Sequence, residues 1–226
     1  MATSGTYNFN PSLGELTVYA YQLIGIRPTA LLQEHMDVAR TSTNMMFTRW
    51  SNQGVNLWQV QLVTTPLIQG QPEYSVDPSI VVILDAYIES GSPAIDRIIL
   101  PISRTEYSSY PNKAQQGFPT TFWFDRLLNP IVYLWPVPDG TQDSLNYYAV
   151  YRLQDADMNG SDQLDIPPIW LEAMAYGLAE RLAMIWAPEK ASAMKAFADE
   201  AYNIAANQNV ETAGQYISPQ LSGYWR

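Results

Sequence analysis

Residues 119–153 read PTTFWFDRLLNPIVYLWPVPDGTQDSLNYYAVYRL, and this stretch decides the fold of the middle of the chain. Three short runs, 121–124, 131–135 and 144–153, are rich in aromatic and β-branched residues, the types that suit a pleated, half-buried surface. Turn formers separate them: Asn129-Pro130 in the first gap, and Pro136, Pro138, Asp139 and Gly140 in the second. Short strands broken by such turns describe an antiparallel sheet or small sandwich.

Upstream the same texture continues. Trp58, Val60, Leu62 and Thr64 alternate with polar neighbours, and 74–76 reads as the return partner of that strand. Residues 80–88 and 95–102 are further β-branched runs, and 103–119 reads as a polar loop with two prolines and a glycine.

Beyond this region the period changes from 2 to 3.6. Ser12 with Glu15 three residues on is a capping-box pattern, followed by Leu13, Leu16, Ala20, Leu23 and Ile24 at helical spacing. Gly25 and Pro28 break this helix, and Thr29 is positioned to cap a second. The second stripe runs Leu32, Met36, Ala39, Thr43, Met46, Phe47 and Trp50 and ends near Gly54. On the other side, Pro167-Pro168 suit a first helical turn before Trp170, Met174, Leu178, Leu182, Ile185 and Trp186. Pro188 stops that helix and opens another, carrying Ala191, Met194, Ala198, Ala201, Tyr202 and Ala205. The expected fold is α+β: a helical bundle from 1–56 and 164–208, an inserted antiparallel β domain at 57–163, and an extended tail at 209–226.

Composition narrows the function. Hydrophobic residues make up 47% of the 226 and charged residues only 15%, against about 25% in an ordinary chain, so a folded protein is expected. With 15 Tyr and 7 Trp on a weakly charged background, the surface has the make-up of protein interfaces. The net charge of −10 and the thin scatter of 12 basic residues argue against tight nucleic-acid binding, which needs cations to displace counterions. An acidic ring lumen through which DNA slides is a different case, since repulsion favours passage. With no cysteine, disulfides, thiolate nucleophiles and Cys-ligated zinc are excluded. The first residues carry neither a basic region nor an apolar run, so no secretory signal is expected, and no run is long enough for a membrane span.

Catalytic chemistry has little to work with. His35 is the single histidine and sits beside the apolar stripe of a helix, where a structural role is expected. Nucleotide loops, the GxSxG elbow and the HExxH zinc motif are all missing from the sequence. Asp155-Ala-Asp157-Met-Asn159-Gly160 matches the first half of a calcium loop, but position 12 is Ile166 and the segment entering the loop reads as a strand. A turn joining that strand to the next helix is favoured. A weak calcium alternative at Asp155, Asp157 and Asn159 is carried beside it, and otherwise no metal or cofactor is expected. Phe118, Phe122, Trp123, Phe124, Tyr133 and Trp135 form an aromatic set that reads as core plus interface. Stacking on sugars is the rival use, with Asp125 and Trp123 as its working residues in a carbohydrate-binding module or glycoside hydrolase-like tail component.

The order of helices, β region, helices and tail resembles the head-to-tail adaptors of short-tailed phages, the tail tubular protein A and packaged-DNA-stabilisation types. The segments Pro119-Thr-Thr-Phe-Trp-Phe-Asp125 and Leu134-Trp-Pro-Val-Pro-Asp139 look like the aromatic strand and proline turn of such proteins, and the helix before Arg27-Pro28 is similar as well. The resemblance implies a non-enzymatic virion protein made in the host cytoplasm and located in the neck. It implies a ring of about twelve copies closed by cyclic symmetry, docked on a portal protein, receiving a tail nozzle or tail fibre protein, with DNA passing through the lumen. Tyr216, Ile217, Leu221, Tyr224 and Trp225 in the tail, with Phe122, Trp123 and Trp135, are the expected interaction residues.

Overall fold

The computed structural model describes residues 9–54, 57–157 and 166–209, together with Gly5. Helix α1 (Leu13–Leu23) begins with the capping box read from the sequence. The Ser12 hydroxyl accepts from the Glu15 N–H at 3.2 Å, and the Glu15 carboxylate accepts from the Ser12 N–H at 2.9 Å. Helix α2 (Gln33–Gln53) starts later than the Thr29 cap predicts, because Pro28–Ala30 form a separate 3-10 turn. His35 supplies the missing acceptor: its Nδ1 takes the Leu32 N–H at 3.2 Å. Gly54, at φ 75°, closes α2 in the left-handed conformation that glycine adopts at low cost.

The remaining long helices are α4 (Leu171–Trp186) and α5 (Ala191–Gln208), each entered through a 3-10 turn opened by a proline, Pro168 or Pro188. Helix α4 packs against α1, α2 and α5, and accordingly it is apolar on several sides. Leu171, Met174, Leu178 and Leu182 are buried, as are Ala173, Ala175, Ala179 and Ala183. Ile185, expected on the same face, points outward, because the last turn is held through Trp186 and Ala187 instead. Two apolar clusters result. One joins Leu13, Leu16, Met46, Phe47, Trp50, Trp170, Met174, Ala201 and Ala205 to Leu153 and Ala156 from the chain leaving the sheet. The other gathers Ala20, Tyr21, Ile24, Ala39, Leu178 and Leu182. Among the described residues no helix is long and apolar enough to cross a membrane.

The single histidine belongs to this second region. His35 is buried, stacks on Trp186 at 4.2 Å between ring centroids, and meets the Tyr21 ring edge-on at 5.5 Å. The Tyr21 hydroxyl donates to the His35 carbonyl at 2.6 Å. Burial pushes the Tyr21 phenol up to about 12 from its usual 10.0. The unfolded chain therefore loses this proton first, and stability present below pH 10 is lost as the pH rises toward 12. Thermal melts of Tyr21→Phe are expected to fall less steeply than wild type across that window; identical slopes would contradict the assignment.

Among the described residues seven strands form the β region: β1 (Val60–Pro66), β2 (Glu73–Ser75), β3 (Ile80–Ser90), β4 (Ile95–Pro101), β5 (Thr121–Asp125), β6 (Ile131–Trp135) and β7 (Ser144–Tyr151). They lie in the order β1-β7-β3-β4-β5-β6-β2. The α+β class is as expected, but three details of the β region differ. First, β1 and β2 do not pair with each other. All seven residues of β1 find partners on the longer β7, while three-residue β2 pairs with β6, placing Tyr74 beside Val132 in the core. Second, the sheet is mixed, because β4 and β5 run parallel through Leu100/Thr121 and Pro101/Phe122. Third, the polar loop at 103–119 contains a short helix, α3 (Arg104–Ser109), whose Ser103 hydroxyl accepts from the Glu106 N–H at 3.1 Å. The concave side of the curled sheet closes over Ile88, Ile99, Phe122, Val132, Leu134, Leu145, Tyr147 and Ala149.

Candidate interaction site

Strand pairing sorts the aromatic residues into two groups. Phe122 faces Leu134 across β5 and β6, and both are buried in the sheet core. Phe122 is therefore a packing residue rather than a contact residue, because the period of 2 turns it inward. Its neighbour Trp123 points the other way, opposite Tyr133, with the rings stacked at 4.8 Å. Tyr107 from α3 covers this pair at 5.4 Å from each ring. Trp135 stacks on Tyr110 at 4.0 Å and donates its Nε1–H to the Asn112 carbonyl at 3.0 Å. α3 and the loop after it thus form a half-buried aromatic layer over β5 and β6. A sugar platform needs an open ring face, and here one face of Trp123 is stacked on Tyr133 and one face of Trp135 on Tyr110, an arrangement that does not support the carbohydrate reading.

The proline turn after β6 ties neighbouring loops together. The Val137 N–H donates to the Gln115 carbonyl, the Gly117 N–H to the Val137 carbonyl, and the Gly70 N–H to the Pro138 carbonyl, all at 2.9 Å. The Asp139 carboxylate accepts from the Thr141 hydroxyl at 2.7 Å and from the Gln142 side chain at 2.9 Å. Those hydrogen bonds, the Thr141 hydroxyl foremost, hold its carboxyl below the usual range. Leu134–Asp139 is in this chain a structural clasp.

The outer face of β1, β7, β3 and β4, turned away from the sheet core, carries the residues that sequence reasoning missed. Register aligns Leu62 with Tyr148, and it aligns Thr64, Asn146, Tyr87 and Ile98 in a row across all four strands. Leu62, Leu84, Tyr148, Ile98 and Leu100 are exposed there, with Ile98 at 74% the most open of the five. One end of the face is polar. Thr64 donates to the Asn146 side-chain oxygen at 2.6 Å, and the Asn146 amide donates to Glu89 at 3.2 Å and to the Ser144 hydroxyl at 3.0 Å. The signal for this face was weak in the sequence: 80–88 and 95–102 are apolar on both sides, so alternation could not separate inside from outside.

A second feature, a polar cleft of about 280 Å³, lies between α2, α4 and α5 and is lined by Arg49, Gln53, Glu180, Arg181, Asp199 and Tyr202 among others. The Arg181 guanidinium is pulled below its usual range by burial and by Arg49, with Glu180 opposing, and it donates to the Gly177 carbonyl at 2.9 Å. The cleft carries both signs of charge and neutralises itself.

Of the remaining expected site residues, Asp155 and Asp157 are exposed, and Asp157 lies 3.9 Å from Arg40. Between them Ala156 is clasped by Asn44, which accepts its N–H at 2.7 Å and donates to its carbonyl at 3.1 Å. Asn159, Tyr216, Ile217, Leu221, Tyr224 and Trp225 lie outside the described residues. Among the described residues no three His, Cys, Asp or Glu side chains come together as a cation site.

No curated protein matches the chain. A family model described as SU10 adaptor protein matches residues 23–220, from the end of α1 through all of the sheet and past α5. It agrees with the adaptor resemblance carried by the aromatic strand and the proline turn, without naming the tail tubular A type. With a match over most of its length, the chain belongs to the SU10 adaptor protein family.

Proposed function

We propose that this chain is a structural adaptor between head and tail of a phage particle, forming a ring that seats on the portal, extends the DNA channel and helps retain packaged DNA. The observation that carries the reading is the family match over residues 23–220, since an adaptor family points to a structural head–tail role. Three physical features support it. The exposed apolar face on β1, β7, β3 and β4 is the kind of patch that marks protein contacts. The weak overall charge suits interface-driven assembly, and a net charge of −10 suits a wall past which DNA must slide. The tail tubular A type, with about twelve copies closed by rotation and a tail nozzle or fibre protein as the next component, is the finer form of the same reading.

The reading is tested by particles assembled without the chain. Electron micrographs are expected to show heads that lose DNA or fail to gain tails. Intact, infectious particles lacking the chain would contradict it.

A further inference from the structure

The hairpin between β5 and β6 turns through Asp125-Arg126-Leu127-Leu128-Asn129-Pro130. Turns favour Gly, Pro, Asn, Asp and Ser, so two adjacent leucines at the tip are out of pattern. Leu127 is 57% exposed and Leu128 92%, the most open large apolar side chain among the described residues. The tip is nonetheless firmly held. All five residues of β5 pair with β6, the Leu127 N–H donates to the Asp125 carbonyl at 3.0 Å, and the carbonyl of buried Pro130 accepts from the Val76 N–H at 3.0 Å. Arg126 is exposed beside the leucines, while Asp125 belongs, by the period of 2, to the face that carries Trp123. A cation and two bare leucines on a rigid tip form a preorganised plug, which docks with little ordering cost.

A receptor of matching chemistry lies elsewhere on the same chain. The outer face of β1, β7, β3 and β4 exposes Leu62, Leu84, Tyr148, Ile98 and Leu100. Its charge is of one sign. Glu89 and Asp96 stand opposite each other in register at one end of the face. The single cation in the four strands, Arg97, turns to the other side and sits over the Phe118 ring at 4.4 Å. Like charges directly opposite on a sheet repel, and an incoming guanidinium removes that repulsion. An apolar row ending in two carboxylates therefore matches two leucines beside an arginine, in apolar character and in sign of charge.

We propose that the β5–β6 hairpin tip of one copy seats on the outer face of β1, β7, β3 and β4 of the next copy. Leu127 and Leu128 pack against Ile98 and its apolar neighbours, and Arg126 reaches Asp96 and Glu89. Tip and face lie on different parts of the chain, so each copy gives one tip and receives another. Such a head-to-tail contact is the kind that closes into a ring. The proposal rests on the ring reading above and names the contact that builds the ring.

The chain has no native cysteine, so introduced ones report cleanly. Full-length chain carrying Asn129→Cys and Leu100→Cys, both at exposed positions, would be incorporated into particles and treated with a short bismaleimide. A denaturing gel is expected to show a ladder of linked multimers, reduced several-fold by Arg126→Glu and restored when Asp96→Lys is added. Leu128→Asp, at a position too open to contribute to folding, is expected to melt as wild type and to be missing from assembled particles. Four results would overturn the tip contact while leaving the adaptor reading intact: monomers only in assembled particles, links to a different protein of the particle, a ladder indifferent to Arg126, or Leu128→Asp chains incorporated as wild type. Particles that assemble normally without the chain would overturn both.

Discussion

Trp170→Ala is expected to lower unfolding stability by roughly 3–5 kcal/mol, read as a shift in the urea midpoint. Trp170 is fully buried and touches Trp50 of α2 at 5.2 Å, Trp58 before β1 at 5.3 Å and Tyr202 of α5 at 5.6 Å. One side chain therefore joins both ends of the sequence to the entry of the sheet. Truncation removes its transfer free energy, its ring contacts and the packing around the space left behind. Against a total stability of about 5–15 kcal/mol the loss is large. Trp170→Phe is expected to cost much less, because among the described residues the Trp170 Nε1–H has no hydrogen-bond partner to forfeit. Equal losses for the two substitutions would contradict this account of the contact.

Phe122→Ala is the second large effect, again roughly 3–5 kcal/mol. The ring is 2% exposed and faces Leu134 inside the sheet core. The adjacent Trp123→Ala is expected to cost only about 1–2 kcal/mol, since that ring is half-buried in the outer aromatic layer. Loss of assembly in Phe122→Ala would accordingly track loss of folded protein by circular dichroism. An assembly defect in Phe122→Ala with wild-type stability would overturn its assignment to the core.

Legibility in the sequence followed the strength of local patterning. Ser12 with Glu15, the Leu13–Leu16–Ala20 stripe and the proline-opened α4 and α5 were readable because cap and period agreed over many residues. α3 was not, although Ser103 and Glu106 repeat the capping pattern, because six residues with one buried Tyr107 carry no period. The pairing of β1 with β7 was hidden for a different reason. Adjacent strands favour each other as a prior, and here the three-residue β2 offers too short a partner for seven residues. For the candidate site, composition announced interfaces without locating them. Phe122 and Trp123 are neighbours in sequence and opposites in role, and only the register across β5 and β6 separates them.

The central claim, an adaptor role at the junction of head and tail, is tested most directly by cryo-electron microscopy of the particle neck. The account predicts that the α1–α5 chain, recognisable by its curled seven-stranded sheet, repeats as a closed ring between portal and tail. Neck density into which this fold cannot be placed, or its presence only elsewhere in the particle, would contradict it.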